Sequence, residues 1–123
     1  MDINQLATVD AHEAGAECQL QNPKTGEPDD GVIIVKGVDS KAWRSAQKEQ
    51  RRKLKDKDEI DIFDHDYLWP IIASCIIGWR NLENKGEEFE YSEKNAQWLC
   101  KNAPQIVTQL FGFLLDRENF IKD

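Results

Sequence analysis

Histidine, cysteine and clustered glutamate are the residue types in this chain that could bind a metal ion or take part in catalysis. His65 stands between Asp64 and Asp66, a triplet that could hold a metal or transfer a proton. A metal site needs ligands at helical i, i+4 spacing or ligands that converge from other segments, and the sequence supplies no such set around His65. We therefore interpret the triplet as the solvated, acidic start of a helix, since charged residues usually lie at the surface.

The other candidates for chemistry also have simpler structural interpretations. Cys75 lies in an apolar segment, where burial raises the pKa of a thiol and makes it a poor nucleophile. Glu87, Glu88 and Glu90 lack the alternating Asp and Asn ligands of a calcium loop, and no glycine pattern matches a Walker or dinucleotide-binding loop. We predict no catalytic residue, no metal site and no cofactor, and expect a protein that is not an enzyme.

Length and composition favour one domain. The chain has 123 residues and a net charge of -7, which suits a single core and disfavours general attraction to nucleic acid or to an anionic membrane. Residues 1–15, which include His12 and Glu13, have neither the basic start nor the apolar run of a signal peptide, and we expect a flexible, solvated leader. Residues 16–123 then form the single domain. Its three well-separated cysteines are expected to be reduced and buried, as in a cytoplasmic protein.

An uncharged stretch, Tyr67 to Trp79, interrupts a chain of which 32% of the residues are charged. The stretch is too short to span a bilayer, which needs about 20 apolar residues. We predict a helix that starts around residues 58–66 and ends near Gly78, with Pro70 in its first turn or at a kink. Such a stretch suits either a core or an interface, and we expect core positions at Ile72, Cys75 and Ile76. An interface role would fall on Trp69 or on the edge shared with the preceding helix.

That preceding helix is predicted over Lys41 to Lys57. This segment contains eight basic residues and only two acidic ones, which gives it a net charge of +6. Ser40 is its expected cap, and Trp43, Ala46 and Leu54 share its buried stripe. Three uses of the basic face remain open: binding a phosphate backbone, binding an acidic protein partner, or facing water and pairing with acids of the same chain. The helix lacks interleaved aromatic residues, which disfavours nucleic acid.

A β-hairpin is predicted before this helix. Ala16, Cys18 and Leu20 alternate with polar residues, and the β-branched run Val32–Val38 follows the turn-rich segment 22–31.

Two further helices are predicted near the carboxyl terminus. Ser92 caps a helix that runs to about Asn102, and Pro104 starts the last one. Between the apolar helix and Ser92, Phe89 and Tyr91 are expected to point inward together. The predicted fold class is α+β, mainly α-helical, with an N-terminal β-hairpin followed by about four helices.

Several short motifs follow one another in a recognisable order. In the first half of the chain they are Gln21–Pro28, Val32–Ser40 and the pair Trp43-Arg44. In the second half they are Ile72–Leu82, a loop with Gly86, Phe89–Asn95, a helix with Pro104 and the closing Glu118–Phe120. This order resembles that of the tail assembly chaperones of long-tailed bacteriophages. The resemblance covers residues 17 to 120, and because each motif is short, it depends on their order.

The resemblance implies a chaperone of virion morphogenesis in the host cell cytoplasm. Such proteins bind the tape measure protein, keep it soluble, help recruit tail tube subunits and are absent from the mature virion. In many relatives a ribosomal frameshift appends a second domain that contacts the tail tube protein. A tape measure protein presents long amphipathic helices, which suit recognition in a groove, and the chaperone is expected to form homo-oligomers and to bind no membrane.

Partner contacts are predicted at tryptophans and arginines near the two central helices, because these residue types are enriched at binding hot spots. The predicted contact residues are Trp43, Arg44, Arg51, Arg52, Trp69 and Trp79. Two other functions remain open: a structural or adaptor protein that stays in the phage tail, and a small nucleic-acid-binding regulator that uses the helix 41–57.

Overall fold

The computed structural model describes residues 1–56 and 59–121. In the first half of the chain the elements are α1 (Val9–Ala14), β1 (Ala16–Gln21), β2 (Pro28–Val35) and α2 (Lys41–Lys53). In the second half they are α3 (His65–Cys75), β3 (Ile76–Arg80), β4 (Glu83–Asn84), β5 (Glu87–Glu88), α4 (Glu93–Asn102) and α5 (Pro104–Leu115). Short 3-10 turns cover Ile3–Gln5 and Arg117–Phe120. The fold class is α+β and mainly helical, as predicted.

The predicted hairpin is confirmed. β1 and β2 pair antiparallel, with Cys18 opposite Ile33 and Gln19 opposite Val32. Its loop is shorter than predicted, because β2 already begins at Pro28, and β2 ends at Val35, so that Val38 lies in the following turn.

The uncharged stretch Tyr67–Trp79 is divided between two elements. α3 ends at Cys75, and the next four residues belong to β3, which pairs antiparallel with β2 and makes β2 the central strand of a three-stranded sheet. Ile76 lies opposite Val35, and Trp79 lies opposite Ile33. The prediction of a helix up to Gly78 is therefore wrong beyond Cys75, because two β-branched residues beside an open edge of β2 gain a strand partner there.

The start of α3 also differs from the prediction of a helix beginning around residues 58–66. Asp64 is the N-cap, and the helix begins at His65. Asp58 lies outside the described residues, as does Lys57 at the predicted end of α2, which finishes at Lys53. Pro70 lies in the interior of α3, not in its first turn.

α3 is the centre of the core. It packs against α2, α4 and α5, and α5 also contacts β1. Ile71, Ile72 and Cys75 on α3 are fully buried, as are Leu110 and Leu114 on α5. Ile76 is 3% exposed. The predicted core positions Ile72, Cys75 and Ile76 are therefore confirmed.

The predicted carboxyl-terminal helices are confirmed as α4 and α5. The hydroxyl oxygen of Ser92 accepts a hydrogen bond from the Asn95 N–H at 3.0 Å, which is the N-cap contact of α4. Pro104 occupies the first position of α5, where its missing N–H costs no helical hydrogen bond.

Part of the predicted leader is folded onto the domain. Val9–Ala14 forms α1, and the side chain of His12 is fully buried against the ring of Phe120, with ring centroids 4.5 Å apart. A Cβ added to Gly37 would lie 2.1 Å from His12 Nδ1, so this approach requires glycine at position 37. The expectation that His12 is solvated is wrong, because α1 inserts it between the turn after β2 and the carboxyl-terminal turn.

Hydrogen bonds fix the protonation of His12. Its Nδ1 accepts the backbone N–H of Asp39 at 2.9 Å, which leaves the imidazole neutral with its proton on Nε2. The Asp39 carboxylate lies 3.6 Å from Nε2 and accepts two hydrogen bonds from Arg117, at 2.9 and 3.0 Å, and one from the Thr8 hydroxyl. This network joins α1, the turn before α2 and the carboxyl-terminal turn.

Ile76→Asp is expected to unfold the domain, because it places a carboxylate in a position that is 3% exposed. We expect a loss of more than about 3 kcal/mol in the free energy of unfolding, measured by urea denaturation followed by circular dichroism. The matched control is Ile77→Asp at the next residue, which is 41% exposed and should lose about 1 kcal/mol or less. A folded Ile76→Asp monomer that has lost only partner binding would show that Ile76 belongs to an interface.

The stability of the domain is expected to fall as the pH drops below about 6.5. Burial, as the largest effect, and Arg117 lower the pKa of His12, while Asp39 partly opposes them. The unfolded chain therefore takes up the proton first, and stability is lost as pH falls from the ordinary histidine pKa toward the lowered folded value. Hydrogen bonds from Arg117 and Thr8 hold the pKa of Asp39 well below its usual range, so a second loss follows below about pH 4.

Urea denaturation at a series of pH values measures this dependence. In His12→Asn, whose amide oxygen can replace Nδ1 as the acceptor, the loss between pH 7 and 5 should be smaller, whereas His65→Gln should keep it. If His12→Asn retains the full dependence, the neutral assignment of His12 is incorrect.

Candidate partner-binding site

α2 is fastened to α3 by a few specific contacts. Ser40 caps α2 by accepting the Trp43 N–H on its hydroxyl oxygen at 3.2 Å, as predicted. Gln50 is buried, and its side-chain amide donates to the Tyr67 carbonyl at 3.2 Å. A buried hydrogen bond between a side chain and the backbone fixes the helix orientation as well as its distance. No sequence signal indicated the role of Gln50, because a glutamine in a basic segment has no distinctive pattern.

A groove of about 500 Å³ runs between α2 and α3, where any interface role of the apolar stretch was predicted. Trp69 is half-buried in this groove. The wall on α2 is formed by Ala46, Glu49, Gln50 and Lys53, and the other walls by Asp66, Trp69, Pro70, Ser74 and Gln97. An aromatic side chain flanked by both signs of charge is suited to hold one face of an amphipathic helix.

The predicted arginine contacts lie on the solvent side of α2. Arg44, Arg51 and Arg52 are all exposed. Arg52 pairs with Glu49 one turn earlier, at 2.5 and 3.1 Å. Within residues 1–56 and 59–121, this is the one ion pair that a basic side chain of α2 forms. Pairing with acids of the same chain therefore accounts for little of the basic face of α2. The other two uses remain: this face is solvated, or it binds a partner.

Trp43 is a core residue. It is 8% exposed, and its ring stacks on Phe111 of α5 with centroids 6.2 Å apart and planes 8° from parallel. The prediction that Trp43 contacts a partner directly is therefore corrected. Trp43 packs between α2 and α5, and its ring has little exposed surface for a partner.

Trp79, a residue of β3, belongs to a separate aromatic cluster. It stacks on Phe89 at 5.3 Å, meets Tyr91 edge to face at 5.2 Å, and donates its indole N–H to the Phe89 carbonyl at 2.6 Å. Phe89 and Tyr91 are both half-buried against it, in agreement with the prediction that they point inward together. Trp98, 50% exposed, closes the cluster on the solvent side. Through Phe89, the residue after β5, Trp79 anchors the hairpin formed by β4 and β5.

An exposed apolar surface that sequence analysis missed lies beside Trp43. Phe63 is 69% exposed, Leu115 57% and Ile62 46%, and the Phe63 ring contacts Phe111 at 5.9 Å. Ile62 and Phe63 fall in the segment that was interpreted as an acidic helix start. The one available signal was the pair of adjacent large apolar residues between Asp61 and Asp64.

The residues considered for chemistry are not brought together. His65 is half-buried, and its Nε2 donates to the Lys101 carbonyl at 3.0 Å, which fastens the start of α3 to the end of α4. Throughout the described part of the chain, no three His, Cys, Asp or Glu side chains are grouped to hold a metal ion. Among the same residues, no helix has the length and apolar character needed to cross a membrane.

All three cysteines are free and buried, as predicted. Burial raises the pKa of Cys18 to about 11 and those of Cys75 and Cys100 to about 12. A thiol with such a pKa is almost entirely protonated near neutrality and is therefore a poor nucleophile.

Comparisons of this chain with protein-family models, with curated proteins and with solved structures give no match.

The cysteines are expected to resist thiol reagents in the folded state. At pH 8, the thiolate fraction of a thiol with a pKa of about 11 is on the order of 0.001, and burial also blocks access. Labelling with Ellman's reagent should be slow in buffer and should reach three thiols per chain in 6 M guanidinium. A thiol that reacts within seconds in native buffer would show that its pocket is open.

Proposed function

We propose that this protein is a non-enzymatic tail assembly chaperone of a long-tailed bacteriophage, acting in the host cell cytoplasm. Its client is the tape measure protein, which it keeps soluble while tail tube subunits are recruited, and it leaves before the virion is complete. The choice of the tape measure protein as client rests on the resemblance carried by the ordered motifs over residues 17 to 120. A tail tube contact through a frameshifted longer product, and a homo-oligomer in the absence of client, belong to the same proposal.

The structural observation that supports this proposal is the groove between α2 and α3. Its half-buried Trp69 offers an apolar anchor, while Glu49, Lys53 and Asp66 surround it with both signs of charge. An amphipathic helix of a client places apolar side chains on one face and charges on both flanks, which is the complementary arrangement. The groove lies on helices that are fixed by the core, so binding requires little reordering.

A structural or adaptor protein of the tail is the alternative that uses the same surface. The two functions differ in where the protein ends up, and mass spectrometry of purified virions separates them. A chaperone is expected to be absent from the particle, whereas an adaptor is present in stoichiometric amounts. The regulator hypothesis predicts a salt-sensitive gel shift with DNA or RNA, because counterion release dominates such binding.

Trp69→Ala is expected to weaken binding to the tape measure protein at least tenfold, since a tryptophan at the centre of an interface typically contributes about 2 kcal/mol or more. The measurement is co-expression of the two proteins, followed by the soluble yield of the tape measure protein and its co-purification with the chaperone. Trp98→Ala is the matched control, because Trp98 is half-exposed and belongs to the cluster around Phe89. Unchanged client solubility with the wild-type protein would refute the proposed function.

A further inference from the structure

Apolar side chains of α5 and of the loop that precedes α3 meet where Phe63 contacts Phe111. We call this surface the α5 patch and define it by Ile62, Phe63, Phe111 and Leu115. Phe111 and Leu115 are one helical turn apart and therefore lie on the same side of α5. Phe63 contacts Phe111 with ring centroids 5.9 Å apart and planes at 62°. Three of these four side chains are at least 46% exposed.

Hydrogen bonds to backbone N–H groups of the loop hold Phe63 in its exposed position. The Asp61 carboxylate accepts the Phe63 N–H at 2.9 Å, and the Asp61 carbonyl accepts the Asp64 N–H at 3.1 Å. These two bonds close a turn that holds Phe63 outward over α5. Exposure of a phenyl ring and of aliphatic side chains to water is unfavourable, and exposed apolar patches commonly mark interaction sites.

Basic residues lie on α2 next to the residue that packs on the α5 patch. Trp43 stacks on Phe111, and on α2 the next residue is Arg44, followed at i+4 and i+7 by Lys48 and Arg51. All three cations are exposed. At about 100° per residue, Arg44 lies about 140° around the helix from Glu49, which lines the α2–α3 groove. The three cations therefore form an exposed row on the side of α2 away from that groove, about 80° to 140° around the helix from Trp43.

Acidic residues lie on the loop side of the patch, where Asp61 and Asp64 flank Ile62 and Phe63 in the chain. Both are exposed. The Asp61 side chain is already held by the Phe63 N–H. A ligand on the patch therefore meets positive charge on its α2 side and negative charge on its loop side.

We propose that the α5 patch and the adjoining row of Arg44, Lys48 and Arg51 form a second docking site, which binds an amphipathic helix with an acidic flank. Apolar residues of that helix cover Phe63 and Leu115, and its carboxylates face the arginines. The positive charge favours an acidic ligand. The exposed apolar area favours a protein helix over a phosphate backbone, because a phosphate backbone offers no apolar surface to pack against it. The biological partner rests on the proposed function, in which this helix belongs to the client.

The test uses a probe that does not depend on the client. A fluorescein-labelled peptide of 21 residues has leucine at the a and d positions of three heptads and glutamate on one flank, and a matched peptide has lysine there instead. Fluorescence anisotropy measures both against the wild-type chain. We expect the acidic peptide to bind at least tenfold more tightly than the lysine peptide, and its affinity to fall between 50 and 500 mM salt.

Two double variants assign the site. Phe63→Ser with Leu115→Ser should weaken the acidic peptide at least tenfold, and Arg44→Glu with Arg51→Glu should reverse the preference between the two peptides. Trp98→Ser is the control for removing an exposed aromatic side chain elsewhere, and it should bind as the wild type does. All of the substituted residues, Trp98 included, are exposed, and circular dichroism checks that each variant is folded.

Several outcomes would overturn the inference: equal affinity for the two peptides, no binding of either, unchanged binding in the Phe63 and Leu115 double variant, or displacement of the acidic peptide by a 20-nucleotide oligo(dT). A dimer that dissociates on the Phe63 and Leu115 substitutions would make a second copy of this chain the occupant instead. If the wild-type chain binds the acidic peptide but does not bind the tape measure protein, the proposed function is refuted and this docking site still stands.

Discussion

α3 carries no charge between Tyr67 and Cys75, so most of its surface must be kept from water, and the fold is arranged around that constraint. α2, α4 and α5 cover α3 on three sides, and the sheet receives the chain directly where α3 ends. Ile71, Ile72 and Cys75 are fully excluded from solvent as a result. The α2–α3 groove and the α5 patch are both formed by elements that pack on this helix or flank it.

Burial of α3 also determines which parts of the covering helices remain available to partners. α2 contributes Trp43 and Gln50 to the interior, and its other sides are left to charged residues. Two surfaces result, the α2–α3 groove with Trp69 and the α5 patch with the basic row of α2. Both combine apolar contact with charge, which is the combination expected of a protein that holds an amphipathic helix transiently. Within the described residues Arg44 and Arg51 form no ion pair, which keeps their charge available.

Local signals in the sequence were reliable where a few neighbouring residues determine the structure. The caps at Ser40 and Ser92, the proline that begins α5 and the alternation at Cys18 and Leu20 were each predicted from their neighbours. Predictions failed where a distant segment decides. Ile76 and Ile77 continue an apolar run that also fits a helix, and only the open edge of β2 makes them a strand. His12 lies in a polar segment, and its burial depends on Gly37 and Phe120.

The sequence by itself determined the fold class, the buried thiols and the concentration of positive charge on one helix, because composition and short-range periodicity are enough for these. Tertiary structure alone decided which aromatic residues face water. Trp43 and Trp79 were predicted to contact a partner, but Trp43 is buried against Phe111 and Trp79 is half-buried against Phe89, whereas Phe63, which no sequence pattern indicated, is exposed. The physical reason is that side-chain exposure depends on packing between elements far apart in the chain, which no local pattern encodes.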